Sequence, residues 1–520
     1  MWNSGYVSEV DYTFSHFPFL SPNSLKLAAL LEGGKHTVPE VPTYLELGFG
    51  QGLSLNMHAA SNLGAFWGAD FSPTQTATAQ EYAAFGAGNL NLFDASFEEL
   101  LHRHALPHFD MIVLHGIWSW VPQKAREAVV QIACDHLKPG GLFYVSYNVK
   151  AGWEGIGPLR DLLAQHYRAH VKGTVVERVK AAIAFAEDVL DSDAKFFVQN
   201  PLAKAQLNDM KKKDPIYLAH EFFNETWNPM RFSDVCKELA PAKLDYLGSS
   251  TLLDGLPSIH LTPKAKTLID NASDKAAAGD LRDICVAQRF RRDIFVKGLR
   301  THTEVGRQRL LLQQEFILRK QTKDLPKTIK GARGTANLDQ DLYARILGTF
   351  SEQKGYIRSL KGILTDPACR TLNLAQLEQA VRVLADLEVI APISSPDAID
   401  AARSGAQRLN AKLCRDAALD DRVGYLASPV LGTGVAVSRF EQVFIHCLSH
   451  KLGDPVAHLW QVLQAQGQLL RKNGEVLQSA EANLEELKKQ FEHFQNNRLP
   501  ILSRLGVVSE KGALEVPHED

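Results

Sequence analysis

The stretch from Tyr44 to Gly52, YLELGFGQG, constrains the fold of this chain more than any other. An apolar run of Tyr44, Leu45 and Leu47, with an acid at Glu46, breaks into glycines at alternate positions, Gly48, Gly50 and Gly52. Such a run suits a buried parallel strand, and the glycines admit backbone conformations closed to other residues, which lets a ligand approach the main chain. In the LSLNMHAASN that follows, Leu53, Met57 and Ala60 recur at helical spacing. Strand, glycine turn and helix in that order open a nucleotide-binding α/β sheet.

Glycine spacing narrows the nucleotide. A dinucleotide fingerprint needs G-x-G-x-x-G, and Leu53 stands where its third glycine belongs. E-x-G-x-G-x-G, from Glu46 to Gly52, resembles the first motif of class I S-adenosylmethionine (SAM) methyltransferases. The resemblance implies that Gly48, Gly50 and Gly52 bind the cofactor, with Glu46 contacting its methionine end through the turn. A glycine triplet also makes plain tight turns, so the later strands must decide. AFWGADFSP ends in Asp70, roughly 20 residues past Gly48, where such a fold sets an acid against both ribose hydroxyls. The other reading of Asp70 is a cap for the next helix, a job that Ser72 and Pro73 also fit. NLNLFDASFEELL gives a third strand ending in Asp94 and Ala95. In SAM enzymes this position receives the adenine, the acid accepting from its amino group while a neighbouring backbone N–H meets the ring; Asp94 fits equally as a cap for the helix beginning at Phe97.

HFDMIVLHGIWSWVP supplies a fourth strand, Met111 to Leu114, that runs into an aromatic loop at the carboxyl edge of the sheet, where open α/β folds bind ligands. Its tryptophans, Trp118 and Trp120, either pack on the core or line a pocket. A helix, KAREAVVQIACDHL, and a KPGG turn lead to a fifth strand, LFYVSYNV. From here the sequence resembles the bacterial SAM-dependent methyltransferases that carry a methyltransferase regulatory domain, a family that includes protein-lysine methyltransferases of bacterial surface proteins. Its HG-x-x-SW-[VI] is matched by His115, Gly116, Ser119, Trp120 and Val121. Its SYN-x-x-x-GW is matched by Ser146, Tyr147, Asn148, Gly152 and Trp153, with Ala151 in place of the usual proline. YLAHEFFNETWNPMRFSDV and QRFRRDIFVKG follow in the expected order.

The resemblance implies methyl transfer from SAM to a protein substrate, with lysine as acceptor and a possible homodimer. Free lysine titrates near 10.4, so a desolvating aromatic channel or a nearby base is required. Trp118, Trp120 and Trp153, with Tyr6 or Tyr12 from the aromatic N-terminal arm, are expected as substrate walls offering cation–π contact. Asn148 and Tyr147 end the fifth strand as catalytic candidates, the Asn148 amide accepting from the amine. His115 is a candidate base that also fits as a residue orienting the cofactor. His102, His104 and His108 lie in a polar loop and are not expected to hold a metal, which in-line displacement does not need.

The expected fold is therefore α/β, a doubly wound Rossmann-like SAM methyltransferase sheet followed by mixed α+β modules. A catalytic domain is expected over 1–263, with YLGSS and SIHL as its last strands and a helical insertion at about 155–218. A helical regulatory segment is expected over 264–305, with Arg289, Arg291 and Arg292 on a helix and facing solvent or an interface. A winged-helix-like domain is expected over 306–400, with EFILRKQT and PKTIKGARG as a strand pair, and a C-terminal domain over 401–520. A length of 520 residues supports about two to four domains, and a net charge of −2 argues against a nucleic-acid binder. The six cysteines form no CxxC pair and read as free thiols of a reducing compartment. With no basic-then-apolar leader and no apolar run near the roughly 20 residues of a membrane span, the expected location is cytoplasmic. Two other functions fit the same motifs, a methyltransferase for small molecules or glycans and a regulatory protein that binds SAM without turnover.

Overall fold

A computed structural model describes residue 9 and residues 14–515, other than 87, 103–105, 171, 352, 354 and 355. Seven strands form one sheet: β1 Thr43–Leu47, β2 Ala65–Asp70, β3 Leu90–Asp94, β4 Phe109–Leu114, β5 Leu137–Asn148, β6 Leu244–Ser249 and β7 Phe290–Lys297. They lie in the order β3-β2-β1-β4-β5-β7-β6, and β7 alone runs antiparallel to its neighbours. Tyr44 and Leu45 of β1 are wholly buried because helices cover both faces of the sheet.

The glycine turn between β1 and helix α1 (Leu53–Ala60) has Gly48, Gly50 and Gly52 at positive φ. The Gly48 N–H donates to the Ala69 carbonyl at 2.8 Å, which stitches the turn to the end of β2. All eight residues of α1 are buried, including Asn56 and His58. A helix covered on every side needs a second layer beyond the sheet, and the C-terminal module supplies it. Leu53, Met57 and Ala60 share a hydrophobic cluster with Leu409, Leu426 and Val435. Helix α2 (Pro73–Gly86) is crossed by the long helix Pro396–Asp416, which approaches so closely that a Cβ on Gly405 would lie 2.9 Å from the Gly86 carbonyl oxygen.

Between β5 and β6 a helical insertion has its own core, with Leu163, Val179, Leu207, Leu218 and Phe222 buried together. It ends in α3 (Pro215–Phe222), capped by the Asp214 carboxylate, which accepts from the Ile216 and Tyr217 N–H groups. Beyond β7, the described residues include a three-stranded sheet of Glu315–Leu318, Ile357–Ser359 and Ile390–Pro392. The C-terminal module carries a hairpin, β8 Tyr425–Ser428 and β9 Thr433–Ala436. No helix among the described residues is long and apolar enough to cross a membrane.

Three expectations about elements need correction. SIHL is not a strand; Pro257 opens a single helical turn, Pro257–His260, with no buried residue. The last strand is instead β7, FRRDIFVK, within the segment expected to be helical, so Arg291 and Arg292 lie on a strand. Alternation sends Arg291 to one face, 5% exposed and paired with Asp283 and Asp293 at 2.7 Å each, and Arg292 to the other, over the Phe19 ring at 4.4 Å. EFIL and TIKG do not pair with each other, since EFIL joins the three-stranded sheet and TIKG forms a hairpin with Gly334–Asn337. In the C-terminal core, which includes Leu487, the Phe491 and Phe494 rings lie 4.9 and 5.8 Å from that of Phe444.

Candidate active site

The carboxyl ends of β1, β2, β4 and β5 surround a cavity of about 450 Å³. On one side lie Glu46, Gly48, Gly50 and Asp70 at the glycine turn. Both Asp70 carboxylate oxygens already accept backbone N–H groups, Oδ2 from Gly50 at 2.9 Å and Oδ1 from Ser72 at 3.0 Å. Each keeps further lone-pair capacity. Burial pushes the Asp70 pKa up to about 6 against the pull of those donors, and the nearby charge of Asp94 adds to the rise. Glu46 is only 4% exposed, and burial together with the charge of Asp70 raises its pKa to about 8. Its Oε2 is buried without a hydrogen-bond partner. A carboxyl of this kind beside a cavity calls for a cationic or donor group from a ligand.

The β4 loop supplies His115, Gly116, Ile117 and Trp120 to the cavity. Both the Tyr144 hydroxyl and the Ser146 Oγ lie 2.9 Å from His115 Nδ1, and Phe17, Phe19 and Phe290 crowd its ring, with centroids 4.4, 5.1 and 5.9 Å away. Desolvation, then the charge of Arg292, holds the His115 pKa down at about 3. The imidazole is neutral throughout the physiological range and far too weak a base to remove a proton near pH 7. Its geometry is that of a fixed wall rather than a proton carrier.

Asn148 closes β5 at the cavity with its backbone locked on both sides. Its N–H donates to Ser119 Oγ at 2.9 Å and its carbonyl accepts from the Met230 N–H at 2.9 Å, while the side-chain Nδ2 is buried without a partner. Trp153 follows on the next short helix; its Nε1–H donates to the Arg289 carbonyl at 2.9 Å, which fixes the indole as an apolar wall.

Other expected site residues lie elsewhere. Tyr147 faces away from Asn148 by strand alternation and is buried on the opposite side of the sheet, its hydroxyl donating to Asp293 at 2.7 Å. Trp118 is likewise buried in that core, while Trp120, two residues on, lines the cavity. Gly52 does not line the cavity; its Cα faces α2, where an added Cβ would meet Ala79 Cβ at 2.4 Å. Asp94 and Ala95 are outside the lining, and the Ala95 N–H donates to the Asp70 carbonyl at 2.9 Å, so it is not available to an adenine ring as expected. The Ser96 N–H is taken by Glu99 in a capping box. Tyr6, Tyr12 and His104 lie outside the described residues.

The arm is represented at the cavity by Ser15 and Phe17, the Phe17 N–H donating to Ser54 Oγ at 2.8 Å. Neither these nor Tyr217, His220 and Glu221 of α3 were identified from sequence as site residues. The signal for the second group was present: Tyr217, His220 and Glu221 fall at i, i+3 and i+4, a polar stripe beside the apolar Leu218, Ala219 and Phe222.

The family model described as "Methyltransferase domain" matches residues 45–141, and the one described as "Predicted methyltransferase regulatory domain" matches residues 214–297. The second span contains α3, β6 and β7, and so contributes two sheet strands and one side of the cavity. The Synechocystis sp. protein sll1526 is 34% identical over 509 residues, 97% of this chain and 99% of its own length. The Rickettsia prowazekii protein RP789 is 25% identical over 290 residues, 54% of this chain and 51% of its own. Among solved structures, PKMT2 from Rickettsia typhi, in complex with AdoHcy, superposes with a TM-score of 0.67 at 17% identity, covering 95% of this chain and 99% of that one. The similarity in fold therefore runs through all the modules.

Proposed function

The chain belongs to the methyltransferase family that carries a methyltransferase regulatory domain, and on that premise we propose that it methylates lysine side chains of a protein substrate. It is a SAM-dependent methyltransferase. The observation that carries the donor half is Glu46, a buried carboxyl with an unpartnered oxygen beside the glycine turn. The amino group of a methionine moiety is the partner its position calls for, and Asp70 is set to receive ribose hydroxyls. AdoHcy, bound in the Rickettsia PKMT2 structure, is what SAM becomes once its methyl group has left.

When bound, SAM supplies a methyl group on a positively charged sulfur. The chain's residues do the rest. Phe17, Trp120, Trp153 and Phe290 line the same cavity as Asn148, and such aromatic walls desolvate an ammonium group and so favour its neutral, nucleophilic form. They also offer π-faces to a cation on its way in. Asn148, its backbone held at both N–H and carbonyl, presents an amide able to orient an amine. His115, neutral and wedged between aromatics, keeps the wall of the cavity closed to water. Lysine as the acceptor rests on this aromatic wall and on the resemblance of the HGIWSWV and SYNVKAGW motifs to protein-lysine methyltransferases.

The test is transfer of labelled methyl from SAM into a bacterial lysate, separation of protein from small molecules, and amino-acid analysis of the labelled protein. Methyl-lysine is the expected product. Label confined to small molecules, or to another side chain, would overturn the lysine assignment while leaving the donor site intact.

A further inference from the structure

A lysine reaches a protein surface as an ammonium, and its nitrogen has no lone pair to attack with until a proton leaves. Aromatic walls lower the barrier to that loss without providing anywhere for the proton to go. The ionisable side chains that line the cavity are Glu46, Asp70, His115, Tyr217, His220 and Glu221. Glu46 and Asp70 belong to the glycine turn, where Asp70 is tied to the Gly50 N–H. His115 is held near a pKa of 3 and takes up no proton at neutral pH.

Glu221 differs in position and in setting. It lies on α3, in the insertion rather than the sheet, and its neighbours Tyr217 and His220 also line the cavity. The helix's other face, Leu218, Ala219 and Phe222, is buried in the insertion core, so the polar stripe is held against the cavity by packing. Asn148 and Trp153 line the same space from the end of β5. The charged and titratable groups around Glu221 are Lys213, whose charge works against the rise, Tyr217 one turn earlier on the same helix, and His220 beside it; the rest of the lining adds Glu46, Asp70, neutral His115 and the Asn148 amide. Burial pushes the Glu221 carboxyl up to about 7 despite Lys213. A group poised there both accepts and releases a proton near neutrality.

We propose that Glu221 is the proton acceptor for the incoming alkylammonium, and that the Tyr217–His220–Glu221 face of α3 is the acceptor subsite. This inference rests on the reading of the acceptor as a lysine. The ammonium N–H bond breaks with its electron pair left on nitrogen, and the proton forms an O–H bond on the Glu221 carboxylate. The nitrogen pair then bonds to the methyl carbon as the carbon–sulfur bond breaks and its pair goes to sulfur. Carboxylate, ammonium and sulfonium become carboxylic acid, methylammonium and thioether, with one net positive charge before and after. The acid then returns its proton to water.

The experiment compares wild type, Glu221→Gln and Glu221→Asp in methyl transfer from labelled SAM to heat-treated lysate protein, between pH 6 and pH 10, with SAM binding followed separately by calorimetry. SAM binding within twofold of wild type in the variants shows the donor site intact. Glu221→Gln is then expected to lose about 100-fold or more in rate at pH 7.5, within the usual range for general acid–base groups. The deficit should shrink to about tenfold or less near pH 10, where free lysine loses its proton unaided at a pKa of about 10.4. Glu221→Asp, which keeps a carboxylate, should retain the wild-type pH limb at reduced rate. A Gln variant as active as wild type at pH 7.5 would overturn the proposal. So would a loss of equal size at every pH, which marks a merely structural role. If Glu221→Gln does not bind SAM, Glu221→Asp carries the test, and loss of the wild-type limb there overturns the proposal. Wild-type label on something other than lysine counts against the acceptor assignment, and the pH behaviour of the variants is read independently of it.

Discussion

Glu46 is buried at the edge of the cavity, and its carboxyl is held up at about 8 by burial and by Asp70. In an unfolded chain the same group titrates near 4.3. Between those values the folded protein without ligand holds a proton that the unfolded chain has released, so stability falls as pH rises through that window. Glu46→Gln, neutral at every pH, is therefore expected to raise the melting temperature of the ligand-free protein at pH 8 by about 2–4 °C, with no gain at pH 4; differential scanning calorimetry checks this. The same change should weaken SAM binding about tenfold or more, because the ligand's ammonium loses a charged partner. The glycines divide just as sharply. Gly50 lines the cavity, where a Cβ would meet Gln75 Oε1 at an ordinary 4.0 Å, whereas Gly52 at φ +70 would drive one into Ala79. Gly50→Ala should weaken SAM binding at a cost in stability of about 1–2 kcal/mol, that of a left-handed alanine. Gly52→Ala should add overpacking of about 1–3 kcal/mol to that strain, read as a lower urea midpoint, and leave affinity nearly unchanged. YLELGFGQG made the turn legible, but it could not separate these two roles, because the second depends on α2, whose Ala79 comes from a different stretch of chain.

Strand β7 shows where element-level reading fails. FRRDIFVK looks too charged for an interior strand, and it is interior only because Arg291 meets Asp283 from the preceding helix Lys275–Val286 and Asp293 from its own strand. The Tyr147 hydroxyl also donates to Asp293, and Arg291 Nη2 donates to the Tyr246 hydroxyl at 3.1 Å. Charge in a sequence is visible; its neutralisation in space is not. Arg291→Ala leaves two buried acids without their partner and should cost about 3–5 kcal/mol by chemical denaturation. Period-two alternation, by contrast, was available for β5 and separates Tyr147 from Asn148 without any structure. Tyr147→Phe should then lose about 1 kcal/mol of stability and keep methyl-transfer activity within about threefold of wild type. Asn148→Ala should instead lower activity with little change in SAM affinity. The insertion was legible as helices and the polar stripe of α3 as a face, but that this face lines the cavity was not, since it depends on how the insertion packs against the sheet.

At the scale of the molecule, the modules do not stand apart. Leu53 and Met57 of the helix after the glycine turn are buried with C-terminal residues, and Leu27 and Leu31 of the helix Pro22–Leu31 lie in one cluster with Phe316, Leu377 and Val381 of the middle module. A chain cut after the sheet, at residue 305, would expose these apolar faces and is expected to aggregate or to bind SAM far more weakly than the full chain, which analytical centrifugation and calorimetry would show. The arm that covers the cavity is anchored in the same way: His16 Nε2 accepts from the Gly434 N–H at 3.2 Å and lies 3.1 Å from the Thr433 hydroxyl, in the β8–β9 hairpin. The two partners are 418 residues apart in the chain. At a synthesis rate of about 5–20 residues per second, roughly 20–80 seconds pass on the ribosome between the making of the arm and the making of its anchor. During that interval the nascent chain has its glycine turn but not the hairpin that holds the arm beside it, so methyl-transfer competence is expected only after the β8–β9 hairpin has been made.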